Sequence, residues 1–193
     1  CKLLAKQLEC HFSTRIESLQ FDRHWRLHTD GGETLETRRL LLTAPAPQAA
    51  ALLGDDDPLT ASLRQIVFDP CLSAMASFAG PVPAEFDAAF VNLDSPLAWV
   101  ARNSSKPGRD GQNWVLHATP QWSQRHLEQD PDTIAERLLQ AFSELLSTPL
   151  PDHRDLLGHR WRYALATNPR DDGVISDSER CLAIAGDWLS GNR

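Results

Sequence analysis

Two short apolar runs, Arg39–Ala44 (RLLLTA) and Cys181–Ala185 (CLAIA), constrain this chain most, because neither alternates apolar with polar residues. A strand with one wet face alternates, whereas a continuous apolar run is expected to be covered on both faces, as in a parallel sheet. The first run stops at Ala44-Pro45-Ala46-Pro47, where proline removes the donor that pairing needs and forces a turn. The second stops at Gly186-Asp187-Trp188. If both runs belong to one sheet, everything between them has to be accommodated as an insertion.

The segments around these runs have a different period. Ile16, Leu19 and Phe21, then Trp25, Leu27 and Thr29, then Leu35 with Thr37 form three alternating runs. Asp22-Arg23 and Asp30-Gly31-Gly32 separate them, the signature of a β-meander. Lys2–Leu8 reads as the end of a helix and Gln48–Leu53 as a short one. Strands are expected at Cys71–Ala79, Ala89–Leu93, Leu97–Asn103, Trp114–Thr119 and His159–Ala166, and a polar loop at Arg170–Arg180. Asp130-Pro131 opens a helix, with Asp130 as N-cap and Ile134, Leu138, Leu139, Phe142, Leu145 and Leu146 at helical spacing. The expected fold class is mixed α+β and α/β. Part of a Rossmann-like nucleotide-binding sheet (10–54 and 168–193) is interwoven with an antiparallel-sheet-plus-helices domain (55–167), after the end of a preceding helix (1–9).

Composition excludes several classes. A formal charge of -7 without a basic cluster argues against a nucleic-acid partner. The cysteines, Cys1, Cys10, Cys71 and Cys181, have no CxxC or CxxH spacing, so neither a zinc site nor a disulfide framework is expected, and a cytoplasmic setting is. The longest apolar run is broken by Pro45 and Pro47, so no bilayer span or membrane partner is expected. No HxH, HExxH or GxSxG motif occurs, and a small-molecule substrate is the expected partner. The chain opens at Cys1 within an apolar stretch and stops at Gly191-Asn192-Arg193, which reads as an internal piece of a longer protein.

Four segments together resemble the flavin-containing amine oxidase superfamily, and more closely its bacterial renalase-like branch of NAD/FAD-dependent oxidoreductases. They are Thr14-Arg15-Ile16 followed by Leu42–Pro47; Trp99–Arg109 (WVARNSSKPGR) with Trp114–Ala118 and Trp122-Ser123; His159–Ala164 (HRWRYA); and Ala185-Gly186-Asp187-Trp188. The resemblance implies FAD and hydride transfer to it from a reduced nicotinamide nucleotide or an isomer, with an amine as the older suggestion, and reoxidation by oxygen. It implies no catalytic acid or base. The sequence departs from the family pattern in having no GxGxxG turn to seat a pyrophosphate. FAD binding is therefore expected to need a further N-terminal segment, and this piece alone is expected to be inactive. With no cysteine following Gly186-Asp187, the flavin is expected to be non-covalent.

The resemblance nominates Ile16, Ala44, Pro45, Trp161, Gly186, Asp187 and Trp188 for the cofactor. A glycine lets backbone approach a ligand, and the Asp187 carboxylate can accept from ribityl hydroxyls; the plain alternative is a solvated strand-end turn. Asn103, Lys106, Arg109, His117 and Arg160 are candidates for substrate, against the alternative of a wet basic turn, a structural strand histidine and a solvated arginine. Alternation puts Trp161 opposite Arg160 and Arg162, so indole and guanidinium roles cannot share a pocket without a bulge. A non-catalytic α+β binding module that keeps the fold without flavin is the rival reading. A flavin enzyme with an apolar tunnel is a third, which Arg102, Lys106, Arg109 and His117 oppose.

Overall fold

The computed structural model describes residues 4–191. Its strands and helices in chain order are β1 (Ile16–Phe21), β2 (Trp25–Thr29), β3 (Thr34–Thr37), β4 (Leu40–Leu42), α1 (Ala46–Leu53), α2 (Thr60–Leu63) and β5 (Phe68–Phe78). They continue with β6 (Ala88–Phe90), β7 (Leu97–Arg102), β8 (Asn113–Ala118), α3 (Pro120–Arg125), α4 (Pro131–Leu146), β9 (His153–Ala166), β10 (Val174–Asp177) and β11 (Leu182–Ala185). The chain divides into two compact units, residues 1–67 with 168–193, and residues 68–167. Residues 55–67, grouped by sequence with the central domain, cluster with the first unit.

In the first unit β1, β2 and β3 form an antiparallel meander, with Leu19 opposite Leu27 and Leu27 opposite Leu35. Trp25 anchors it: the side chain is buried and its Nε1 donates to the Arg180 carbonyl at 2.8 Å. The Arg180 guanidinium lies over the same indole at 5.6 Å, pairs with the buried Asp57 carboxylate and donates to Asp177 at 2.7 Å. One arginine thus ties the meander, the α1–α2 connection and the β10–β11 turn together. A second sheet has the order β10-β11-β4, in which β11 runs parallel to β4, Leu182 opposite Leu40 and Ile184 opposite Leu42.

Four expectations change here. Arg170–Arg180 is not wholly a loop, because Val174 and Ile175 pair with Ala185 and Ile184. The final strand begins at Leu182, since Cys181 turns the chain at φ 52°. The strand at Leu40–Leu42 is not covered equally on its two faces: Leu42 is buried, but Leu41 is 62% exposed. Of the expected N-terminal helix, Leu4–Gln7 form a 3₁₀ turn and the earlier positions lie outside the described residues.

The second unit is a five-stranded antiparallel sheet, order β6-β7-β8-β5-β9, with helices on one face. Leu72, Ala74 and Ala76 of β5, Trp114 and Leu116 of β8 and Val100 of β7 pack with Ile134, Leu138 and Phe142 of α4. The helix starts where the sequence predicts. Asp130 Oδ2 accepts from the backbone N–H groups of Asp132 (3.0 Å) and Thr133 (3.1 Å), with Pro131 at the first helical position. It meets β9 at Gly158, where a Cβ would stand 1.9 Å from the Pro131 carbonyl oxygen, so only glycine permits the approach. Helix α3, not expected from sequence, is capped by Thr119, whose hydroxyl accepts from the Trp122 N–H.

Candidate functional site

The face of the five-stranded sheet away from α4 carries the second unit's chemistry. Strand period two sends Leu72, Ala74 and Ala76 to the helix and Cys71, Ser73, Met75 and Ser77 to the other side. Register then lays out rows across the sheet. Trp99 is opposite His117, His117 opposite Ser73 and Ser73 opposite His159. The next row runs Ala101, Val115, Met75 and Leu157, and the one beyond it Asn113, Ser77 and Asp155.

Aromatic packing fixes the first row. The His117 ring lies 5.0 Å from that of Trp99, and the His159 ring 4.4 Å from that of Trp161, edge to face. Ser73 is buried between the two histidines, while Trp161 is 54% exposed. Burial holds the His117 pKa below its ordinary value, so the imidazole is neutral at pH 7. Burial pushes the Cys71 thiol up, outweighing the hydrogen bonds from Ser73 and to Ala118, so no thiolate forms there. The row therefore offers flat surface in which His117 is neutral, with the buried Ser73 beneath its centre.

The basic turn Asn103–Arg109 borders the same face. Arg109 Nη1 donates to Asn103 Oδ1 at 2.6 Å, and Asn103 lines a cavity of about 350 Å³ with Met75, Ser77, Asn113, Asp155 and Leu157. Lys106 is exposed on the turn. Arg160 is elsewhere. It points to the α4 side with Arg162, donating to Gln129 O at 2.8 Å and pairing with Glu128 at 3.5 Å. Arg162 grips Glu128 through two bonds, 2.7 and 3.1 Å, and holds that carboxyl below its usual range. Arg160 is thus occupied by the α3–α4 connection, on the opposite face from Trp161, as strand alternation requires.

In the first unit the parallel pair gathers most of the other candidates. Two residues beyond the Leu42–Ile184 register lie Ala44 and Gly186, so Ala44-Pro45 and Gly186-Asp187 leave the carboxyl ends of adjacent parallel strands. Open α/β sheets bind ligands outside that edge. Ile16 and Ala44 line a groove of about 390 Å³ with Arg15, Gln48 and Leu52. Asp187 is exposed, one carboxylate oxygen accepting from the Trp188 N–H at 2.9 Å. Trp188 itself is a core residue, 1% exposed, and its buried Nε1 has no hydrogen-bond partner among the described residues. A Cβ at Gly186 would stand 2.4 Å from that Nε1, so the glycine makes room for the indole.

Comparison with known proteins supplies the family. The sequence model for flavin containing amine oxidoreductases matches residues 2–188. The chain belongs to that family. Among solved structures it resembles a provisionally assigned protoporphyrinogen oxidase from Exiguobacterium sp. 255-15, at 18% identity and a TM-score of 0.65 over 91% of this chain and 42% of that one. Putrescine oxidase bound to putrescine follows at 12% identity and 0.60, over 91% and 43%. A fatty acid isomerase from P. acnes that produces CLA gives 14% and 0.58, over 92% and 43%. The chain therefore spans less than half the length of these three proteins. At such identities the likeness concerns the fold, a mixed α+β architecture with antiparallel sheets. The members of that family are described as flavin containing oxidoreductases. No group of three or more His, Cys, Asp or Glu among the described residues is arranged to hold a metal, and no described helix is long and apolar enough to cross a membrane.

Ser73, Cys71, Asp155 and His159 are absent from the candidates that the sequence nominates. The signal was present in β5, where Cys71, Ser73, Met75 and Ser77 alternate with Leu72, Ala74 and Ala76. It names a wet face, but only register shows which histidines flank the serine.

Proposed function

We propose that this chain supplies the substrate platform and part of the cofactor sheet of a cytoplasmic, renalase-like FAD-dependent oxidoreductase. The reaction proposed is oxidation of a reduced nicotinamide nucleotide, or an isomer of one. The observation that carries the reading is the Trp99–His117–Ser73–His159 row with Trp161 at its margin, a flat and largely aromatic surface on which a heteroaromatic ring can lie. A primary ammonium finds no carboxylate in that row, which favours a nicotinamide over an amine.

The first unit's residues fit a non-covalent flavin. Gly186 and Ala44-Pro45 bring backbone to the carboxyl edge of the parallel pair, and Asp187 presents an exposed carboxylate to hydroxyl donors. Bound at the carboxyl edge of the parallel pair, FAD would supply the two-electron acceptor for the dihydropyridine hydride, with O2 as the proposed terminal oxidant. This chain's residues bind and orient. Trp161 and Trp99 supply apolar faces, neutral His117 packs beside the ring without donating charge, and Met75 and Leu157 keep water from the neighbouring surface. Loss of a hydride from a dihydropyridine leaves an aromatic pyridinium and needs no protein base.

The complete reading frame, expressed and purified, tests this by its visible absorbance. A yellow protein that bleaches anaerobically with reduced nicotinamide mononucleotide and recovers its colour in air is expected. A protein that stays colourless with added FAD would leave the non-catalytic binding module in its place, and bleaching by amines alone would refute the nicotinamide substrate.

A further inference from the structure

We propose that Asp155, with Ser77 and Asn113, forms a sugar subsite, so that the ligand of this sheet face is a glycoside of a flat heterocycle rather than a bare ring. The inference rests on the ring platform proposed above and assigns what lies beside it. Asp155, Ser77 and Asn113 form one row across β9, β5 and β8, with Ser77 opposite both neighbours. That row is four residues along β5 from Ser73, ~13 Å at the strand rise. The intervening row, Ala101, Val115, Met75 and Leu157, is apolar.

The cavity of about 350 Å³ lies over these two rows. Its walls are apolar at Met75, Val115 and Leu157 and polar at Ser77, Asn103, Asn113 and Asp155. The polar groups already have distinct commitments. Asn103 Oδ1 accepts from Arg109 at 2.6 Å, and Asn113 Nδ2 donates to the Asp110 carbonyl at 2.9 Å. The Asp155 side chain has no hydrogen bond or ion pair among the described residues, and it is exposed. An ionised carboxylate accepts only, and a vicinal diol donates two hydroxyl protons to it. Ser77 can both donate and accept. A diol satisfies acceptor and donor together, whereas a bare phosphate in the cavity would face the Asp155 charge. The apolar middle row matches the ring edge and sugar carbons between the two polar ends. Asp155 is thus a specificity-determining residue for the sugar and takes no part in hydride transfer.

Hydride-inert analogues test this by binding alone. The full-length flavin-loaded protein is titrated calorimetrically with a tetrahydronicotinamide riboside and with its 1-methyl counterpart, which lacks the sugar. The wild type is expected to prefer the riboside by about tenfold or more, the worth of hydrogen bonds to a charged group. Asp155→Asn is expected to erase that preference while leaving the affinity for the 1-methyl compound unchanged. Equal affinities in the wild type, or a preference that survives in D155N, would overturn the sugar subsite and leave the ring platform standing. If neither compound binds the wild type, the ring platform itself falls, and the sugar subsite with it. A melting temperature for D155N equal to that of the wild type establishes that a lost preference is not lost folding.

Discussion

The two faces of the five-stranded sheet are made by the same strands and meet opposite demands. On the helix side Leu72, Ala74 and Leu116 are wholly buried against α4, and Ala76 nearly so. On the other side Met75 is 41%, Leu157 59% and Trp161 54% exposed, although each is as apolar as its neighbours. The side chains differ in kind as well. The buried core of the helix side is mostly aliphatic around Trp114, while the open side sets Trp, His, Ser and Cys, which pack and also hydrogen-bond, beside Met75 and Leu157. Close packing ties the first set to stability, because a filled interior has no room to adjust. The second set is free to serve recognition. Substitution on the helix side should therefore cost folding with ligand chemistry intact, and substitution on the open side the reverse.

The sharpest way to break this division is at Gly158. A Cβ there stands 1.9 Å from the Pro131 oxygen and 2.6 Å from its carbon, both backbone atoms, so no rotamer change relieves the clash. Gly158→Ala must push α4 from β9, and a loss of about 3 kcal/mol or more is expected in urea unfolding. Leu157→Ala, one residue away on the open face, should change stability by no more than about 0.5 kcal/mol. Similar losses at both positions would mean that the open face is also a packing surface.

How much of this was legible follows from the range of the interactions involved. The α4 start was readable, because Asp130, Pro131 and the helical spacing act within four residues. The meander was readable for the same reason, its turns being local. The pairing of Leu40–Leu42 with Leu182–Ala185 was legible as a type, two non-alternating runs, but the cover on each face was not, since burial depends on what packs from afar. The exposed Leu41 shows this. Val174–Asp177 was hidden in a polar segment, because its pairing with β11 is carried by backbone. At the site, Trp161 and Arg160 were correctly placed on opposite faces by alternation. That Arg160 is held by Glu128, and that Ser73 lies between two histidines, depend on register between strands far apart in sequence.

Trp161→Ala makes the converse change on the open face. Its indole packs edge to face on His159 and is half exposed, so its removal leaves no buried cavity. Stability should move by no more than about 0.5 kcal/mol, whereas affinity for a flat heterocycle should fall by about 1–2 kcal/mol through lost stacking. Calorimetric titration with a tetrahydronicotinamide, beside a thermal melt, separates the two. A variant that binds normally would remove Trp161 from the platform.

The smallest expected effect is the share of the pH dependence that His117 contributes on the open face. Burial holds the folded pKa of His117 below the value near 6.5 of the unfolded chain. Between those values the unfolded state binds more protons, so stability is complete above pH 6.5, falls as pH drops through that value, and levels off below the folded pKa. His126 is shifted the same way, by desolvation and then by Arg137 and Arg125, and contributes in the same window. The carboxyls of Glu128, Asp172 and Asp177, all held low by arginine partners, lose their contribution only at more acidic pH. Wild type and His117→Gln melted from pH 7.5 to 5 therefore isolate one imidazole. The wild type should lose more melting temperature on acidification, by a few degrees at most for a half-buried histidine. Parallel curves would show that His117 charges freely on the open face, and the row would then present a cation to its ligand below pH 6.5.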